Sequence, residues 1–329
     1  MFRILALDGG GIKGAFTAAV LASLEHGTGR KIVDHFDLIS GTSTGGILAV
    51  GLSLGLSAQE LMEFYINRGP YIFPRTSLSL KCLDFARWLV SPKHSQETLR
   101  QELTKILGNR TLREARTRLV VPTYDAISGR IYIMKTNHHE GYTNDIDALA
   151  VDVALATSAA PTYFSAAVFP AHNGASYVDG GVWANCPALV AVVEALSILK
   201  KRPQELDVLS IGTTSTPFNI SALGRAGILQ WNKGLLDLAL NAQAEASLAQ
   251  ASLLVEKRLL RIDAITPAGQ FSLDDARPAT VTNLVARGRA EAVKRTTLDA
   301  VQRRFLNGEK ATSFVPISNF GSAANTETD

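Results

Sequence analysis

The chain has 329 residues, 46% of them hydrophobic and 19% charged, a balance that excludes a disordered or fibrous polypeptide, since such chains lack the apolar content to offset the entropy of ordering. Lys and Arg number 33 against 30 Asp and Glu, and a net charge of +3 with no dense basic run gives no ground for a DNA or RNA polymer as partner. The two cysteines, Cys82 and Cys186, lie far apart and outside any CxxC spacing, which argues against a disulfide framework or a structural zinc and for a reducing cytoplasm.

Only four apolar residues, Ile4 to Leu7, precede Asp8 at the start, too few for a signal peptide. The most apolar segments, 47–56 and 188–199, fall short of the roughly 20 residues of a membrane-spanning helix, so the expectation is a cytoplasmic chain that meets a membrane only peripherally, at its inner face.

Residues 2–7 form a short apolar run ending on glycines, the pattern of a buried strand, and 15–25 carry Phe16, Val20, Leu21 and Leu24 at helical spacing. A second strand is expected over 36–39 and a helix over 46–54. Segment 70–89 mixes Tyr71, Phe73, Phe85 and Trp88 with Arg75, Lys81 and Arg87, and reads either as a membrane-facing cover or as packed core. Ser95 is placed to cap a helix over 96–107. Strands are expected over 119–125 and 130–136, joined by Ile127-Ser128-Gly129, and His138-His139 reads as an exposed turn because Asn137, Glu140 and Gly141 flank it. A small-residue helix over 151–159 stops at Pro161, a short strand runs into Asp179, a helix covers 188–200, and a strand covers 206–211.

Beyond residue 220 the apolar spacing is helical. One long helix carries Leu235, Leu238, Ala242, Ala246, Ala249 and Leu253. A second, from Leu284 to Phe305, presents Arg287, Arg289, Lys294, Arg295, Arg303 and Arg304 on its polar face. The alternation predicts a three-layer α/β/α sandwich with a mostly parallel sheet over 1–215, a helical C-terminal section over 216–317, and a flexible tail over 318–329.

Three glycine-rich turns follow strands. Asp8-Gly9-Gly10-Gly11-Ile12-Lys13-Gly14 leaves backbone N–H groups uncovered by side chains at a helix start, a nest for a phosphate or an oxyanion. Gly9 to Gly14 also satisfies GxGxxG, so a dinucleotide site is the rival, although Asp34 and Asp37 precede the second strand where the ribose-binding acid should end it. Gly41-Thr42-Ser43-Thr44-Gly45 is a GxSxG between strand and helix, the setting of a nucleophile elbow. No histidine among His26, His35, His94, His138, His139 and His172 follows Asp179, as the Ser…Asp…His order of an α/β-hydrolase requires. Asp179-Gly180-Gly181 supplies another base: a carboxylate at a strand end with open space beside it can approach a facing serine, although an Asp-Gly pair is also a common local turn.

DGGGIKG, GTSTG and DGG in this order, with the block 156–164 and Gly181-Val182-Trp183-Ala184-Asn185, resemble the patatin-like phospholipases over about residues 2–212. The resemblance implies Ser43 as nucleophile, Asp179 as general base and an oxyanion hole of N–H groups at Gly9, Gly10 and Gly11, acting on acyl esters of membrane glycerophospholipids without metal or cofactor. Gly14, Lys13, Gly41, Gly45, Gly180 and Gly181 support these motifs; Lys13 occupies a position where the family often has Arg, and Cys186 one where Asn often precedes the proline. A compact chain of this kind also resembles bacterial antiphage effectors activated by cyclic oligonucleotides. That resemblance makes Arg225, Lys257, Arg258, Arg261, Arg287 and Arg289 places to seek a phosphate site, and a cyclic nucleotide and a second copy of the chain partners to test. A non-catalytic membrane-binding module is the remaining alternative; it leaves Ser43 and Asp179 without a purpose.

Overall fold

The central strand β1 (Phe2–Leu7) is buried along its whole length, with Phe2, Ile4 and Ala6 facing one core and Leu5 and Leu7 the other. A strand covered on both faces reads as a continuous apolar run because neither side meets water. In the computed structural model, which describes residues 1–74, 91–216, 228–267, 269–312 and 314–317 (backbone alone for 228–237), β1 pairs in parallel with β2 (Leu38–Gly41) and β7 (Leu206–Ile211). β3 (Arg118–Asp125) continues the sheet in parallel beyond β2, and β8 (Leu259–Ile262) does so beyond β7. Three antiparallel strands complete one end: β4 (Arg130–Lys135) on β3, β6 (Ala175–Asp179) on β3, and β5 (Ala167–Phe169) on β6.

Helices cover both faces. On one lie α1 (Gly14–Thr28), α2 (Thr44–Ser53), α3 (Ala58–Ile72), α4 (Gln96–Leu107) and α5 (Ala150–Ser158), whose Phe16, Leu48, Leu61, Leu103 and Val153 pack with Leu5, Leu7 and Ile39. On the other, after the single turn α6 (Gly181–Ala184), α7 (Ala188–Val193) and α8 (Ile228–Leu254) bring Ala191, Val192 and Ala251 against Ile4, Ala6 and Leu38. The expected three-layer α/β/α architecture is the one observed. Local signals set the boundaries: Ser57 and Glu60 form a capping box on α3, and Ser95 Oγ accepts the Thr98 N–H at the start of α4.

One edge of β3 decides where the sheet opens. Its first half pairs with β2, the last partners being Ser40 and Val120; its second half pairs with β6, beginning at Thr123 and Asp179. Val120 and Thr123 each pair with β4 on the opposite edge, so β2 and β6 share the remaining edge and meet end to end. Three residues of strand span about 10 Å, and within that interval the chain leaves β2 toward Ser43 and β6 delivers Asp179.

Several elements differ from the sequence reading. The section beyond residue 215 is not purely helical: β8 joins the sheet edge, a strand too short and too interrupted by Arg261 to show a period of its own. The helix expected from Leu284 to Phe305 breaks at Lys294, whose ψ of 125° is extended. The pieces are α9 (Pro278–Val293) and α10 (Arg295–Val301), followed by a wide turn over Gln302–Leu306. The break leaves Val293 exposed and lets Phe305 stack on Phe36 with ring centroids 5.8 Å apart. Arg304, expected in solvent, pairs with Asp207 at 2.7 Å. The 188–200 helix is regular only through α7, then widens over Glu194–Ile198. His138 is not in an exposed turn; its ring is buried, 3.0 Å from Glu194 Oε1, and only His139 is exposed. Tyr71 is exposed, whereas half-buried Phe73 packs on His94 and Phe164; Arg75, Lys81, Cys82, Phe85, Arg87, Trp88, Arg225 and the tail lie outside the described residues.

The C-terminal section is anchored by α9, which lies along α1 at Gly288, where a Cβ would fall 2.4 Å from the carbonyl oxygen of Phe16. Gly288→Leu is therefore expected to destabilise the chain by about 1–3 kcal/mol through overpacking, read as a lowered urea midpoint with an unchanged m-value; an unchanged midpoint would show that the two helices do not depend on this close approach.

Candidate active site

Ser43 has φ 55° and ψ −124°, a backbone conformation that an L side chain adopts at a cost of about 1–3 kcal/mol. The surroundings hold it there. Its N–H donates to Thr157 Oγ1 at 3.1 Å, and the same hydroxyl donates to Pro122 O, tying the elbow through α5 to β3. Tyr65 OH bonds to both Thr44 Oγ1 and Thr44 O, which fixes the first turn of α2. The glycines flanking the turn are steric requirements. A Cβ on Gly41 would lie 2.1 Å from Gly45 O, one on Gly45 2.2 Å from Leu7 O, and one on Gly14 2.1 Å from Thr44 Oγ1. The starts of α1 and α2 are thus pressed together, and two positive helix ends converge beside Ser43.

Asp179 is buried, with its carboxyl close enough to the Ser43 hydroxyl for that group to act on its proton affinity. Its Oδ1 accepts the Gly181 N–H at 2.6 Å, and its own N–H donates to Ala159 O at 3.0 Å. Burial pushes its carboxyl up to about 6, against the opposing pull of the Ser43 hydroxyl and the Gly181 N–H. No lysine or arginine is among the groups that shift it. Gly180 is packed too closely on Pro122 O to carry a Cβ, which brings β6 tight against β3. A carboxyl raised to about 6 that faces a serine hydroxyl can accept its proton.

The glycine loop lies on the other side of Ser43. One expectation is corrected: the Gly9 N–H is already donated to Asn185 O at 3.0 Å and is not available to an oxyanion. The N–H groups of Gly10 and Gly11 donate to no acceptor among the described residues, whereas Ile12 N–H is taken by Leu273 O and Lys13 N–H by Gly10 O. Gly11 has φ +58° and would place a Cβ 2.1 Å from Leu273 O; a Cβ on Gly10 would fall 2.2 Å from Thr213 Oγ1. Lys13 Nζ donates to Thr214 O.

These groups line a cavity of about 430 Å³. Ile47, Phe64, Ile72, Leu99 and Phe164 form an apolar wall from the core around α2, α3 and α4. Leu240, Ala244 and Leu248 of α8 form a second apolar wall on the opposite face of the sheet. Polar groups of the Thr213–Ser215 turn, Asn241, Glu245, Arg261 and Asp263 complete the lining. None of the six histidines lines it. Thr157 and Asn185 stand in blocks the family resemblance marks, but without a role assigned; Tyr65 and Thr213 carry no signal in the sequence.

The basic residues expected to offer a phosphate site are scattered. Arg261 is engaged by Asp8 and Asp263 within the cavity wall, Arg258 lies 3.5 Å from Asp207, and Arg287 sits over the Phe271 ring, while Lys257 and Arg289 are exposed. Among the described residues no helix is long and apolar enough to cross a membrane.

Residues 5–192 match the family model of the patatin-like phospholipases. The chain is 39% identical over 246 residues to the cGAMP-activated phospholipase of Pseudomonas aeruginosa (strain BWHPSA011 / Pa011), covering 74% of this chain and 72% of that one. It is 32% identical over 325 residues to the cGAMP-activated phospholipase of Vibrio cholerae, covering 90% and 91%, and 32% identical over 317 residues to that of Escherichia coli (strain TW11681), covering 87% of each. With an elbow serine, a facing aspartate and a glycine loop on one α/β/α sheet, and a match through more than half its length, the chain belongs to the patatin-like phospholipase family, a family of lipid hydrolases.

Proposed function

We propose that the protein hydrolyses acyl esters of membrane glycerophospholipids through an acyl-serine intermediate, with Ser43 as nucleophile and Asp179 as the base. The observation that carries this reading is the placement of the strained Ser43 beside a buried carboxyl held near 6. Ser43 Oγ attacks the acyl carbonyl while Asp179 takes the hydroxyl proton; the carbonyl oxygen becomes the oxyanion and is met by the N–H groups of Gly10 and Gly11. Collapse breaks the ester bond, and Asp179 returns the proton to the departing lysophospholipid oxygen. Water then attacks the acyl-serine with Asp179 again as base, and Asp179 returns the proton to Ser43 Oγ as the fatty acid leaves. A dinucleotide in the glycine loop is disfavoured because the second strand ends on Gly41 at the elbow and not on the carboxylate that would bind the ribose.

The names of the relatives support a second element of the reading: cGAMP switches the hydrolase on. Phospholipid vesicles with and without cGAMP test it, and equal rates in both would remove the activator from the account.

The dyad makes a joint prediction. Ser43→Ala and Asp179→Ala should each reduce kcat by about a thousandfold or more, with the double variant little worse, because residues acting as one unit lose the same stabilisation. The base works only when ionised, so kcat/KM on a soluble ester should fall as pH drops through about 6 and level off above it. An Asp179→Ala variant with near-parental turnover would sink the assignment.

The wall formed by Ile47, Ile72 and Leu99 is read as the acyl-chain side of the cavity. Leu99→Trp should lower the ratio of kcat/KM for a palmitoyl ester to that for a butyryl ester by about tenfold, the scale of a misfit in an apolar pocket. An unchanged ratio would place the chain elsewhere, against α8.

A further inference from the structure

The resemblance to cyclic-oligonucleotide-activated effectors makes Arg261 a place to seek a phosphate site, but the fold gives it three acceptors at the end of the sheet. It stands on β8 opposite Ser210 of β7. From Nη1 it donates to Ser210 Oγ at 2.7 Å, and from Nη2 to Asp8 Oδ2 at 2.6 Å and Asp263 Oδ2 at 2.8 Å. Two of these acceptors, Asp8 and Asp263, lead to the glycine loop. Asp8 is the residue immediately before Gly9; it is 4% exposed, its N–H is donated to Ile211 O, and its Oδ1 is buried without a hydrogen-bond partner. Arg261 is therefore the group that holds this carboxylate. Asp263 Oδ1 accepts the Thr214 N–H at 3.0 Å, and its Oδ2 accepts the Ser215 hydroxyl at 2.6 Å. That turn in turn flanks the loop: Thr213 Oγ1 donates to Gly9 O at 3.1 Å and its side chain fills the space beside Gly10.

We infer that Arg261 is a positioning residue for the oxyanion site, fixing the glycine loop at its root through Asp8 and along its flank through Asp263 and the Thr213–Ser215 turn. The inference rests on the hydrolase reading above and extends it to a residue that touches no reacting atom. Two physical requirements make the guanidinium suitable. The loop must be rigid before the reaction, because N–H donors stabilise a developing oxyanion only if they need not reorganise. A buried carboxylate at the root of the loop would also repel that negative charge unless a fixed cation offset it. Arg meets both with a planar fork that reaches several acceptors, whereas Lys supplies only a point charge.

The test uses the full chain with a soluble butyryl ester, and with an alkyl trifluoromethyl ketone as the probe that forms an oxyanion on the serine. Arg261→Met is expected to lower kcat about fiftyfold with KM within about twofold, and to raise the ketone Ki by a similar factor, since a transition-state mimic loses what the transition state loses. Arg261→Lys should recover part of kcat. Asp263→Asn keeps the Asp8–Arg261 pair but loosens the Thr214–Ser215 turn, and is expected to lower kcat about tenfold; it decides the matter if Arg261→Met does not fold. A folded Arg261→Met or Asp263→Asn protein with kcat and ketone Ki within threefold of the parent would overturn the inference. Ser43→Ala in parallel separates the two levels: if it leaves hydrolysis intact, the hydrolase reading fails; if it abolishes hydrolysis while the Arg261 and Asp263 variants work normally, only this inference fails.

Discussion

The site depends on one feature of strand pairing. β3 gives the first half of one edge to β2 and the second half to β6, so a parallel strand and an antiparallel strand end facing each other across about three residues. Past β2 the chain must turn at once, because β6 occupies the next stretch of that edge, and the turn throws Ser43 toward Asp179. Everything that supports Ser43 follows from this crowding. Gly41, Gly45 and Gly180 have no space for a side chain, Thr157 bridges the elbow to β3, and the strained torsions of Ser43 persist because tightly packed neighbours on several sides leave no other path.

Two buried carboxylates border the same cavity in opposite circumstances. Asp179 accepts one N–H and faces the Ser43 hydroxyl, and burial raises its proton affinity to about 6, high enough to shuttle a proton. Asp8 is also pushed up by burial, but Arg261 opposes that shift and ties the carboxyl to two neighbouring turns. What separates the two is the partner: a serine hydroxyl can give up its proton to Asp179, whereas the guanidinium beside Asp8 stays charged. The division also explains the placement of β8, an edge strand that buries little of the core yet carries the cation the loop leans on.

The chemistry-bearing turns were legible in the sequence because each is forced by sterics that only glycine satisfies, and the α/β/α layering because strands and helices alternate at distinct periods. What could not be read were the long-range contacts. Nothing in the local sequence says that Thr157 accepts the Ser43 N–H, that Asn185 removes Gly9 from the set of free donors, or that Arg261 reaches back to Asp8 across the sheet. His138 misled for a related reason: polar neighbours suggested solvent, but a buried Glu194 from a distant helix supplied its partner. The single helix expected from Leu284 to Phe305 failed because apolar spacing continues smoothly through Lys294, where the backbone itself is extended.

The central claim is geometric: the oxyanion forms between Ser43 and the N–H groups of Gly10 and Gly11, with Asp179 on the opposite side of the serine. A crystal structure of the chain after reaction with an alkyl fluorophosphonate tests it most directly, because the phosphonylated serine reproduces the tetrahedral intermediate. The account predicts phosphorus bonded to Ser43 Oγ and the phosphoryl oxygen within about 3.1 Å of both glycine nitrogens. A phosphoryl oxygen turned away from the loop, or an adduct on any residue other than Ser43, would contradict it.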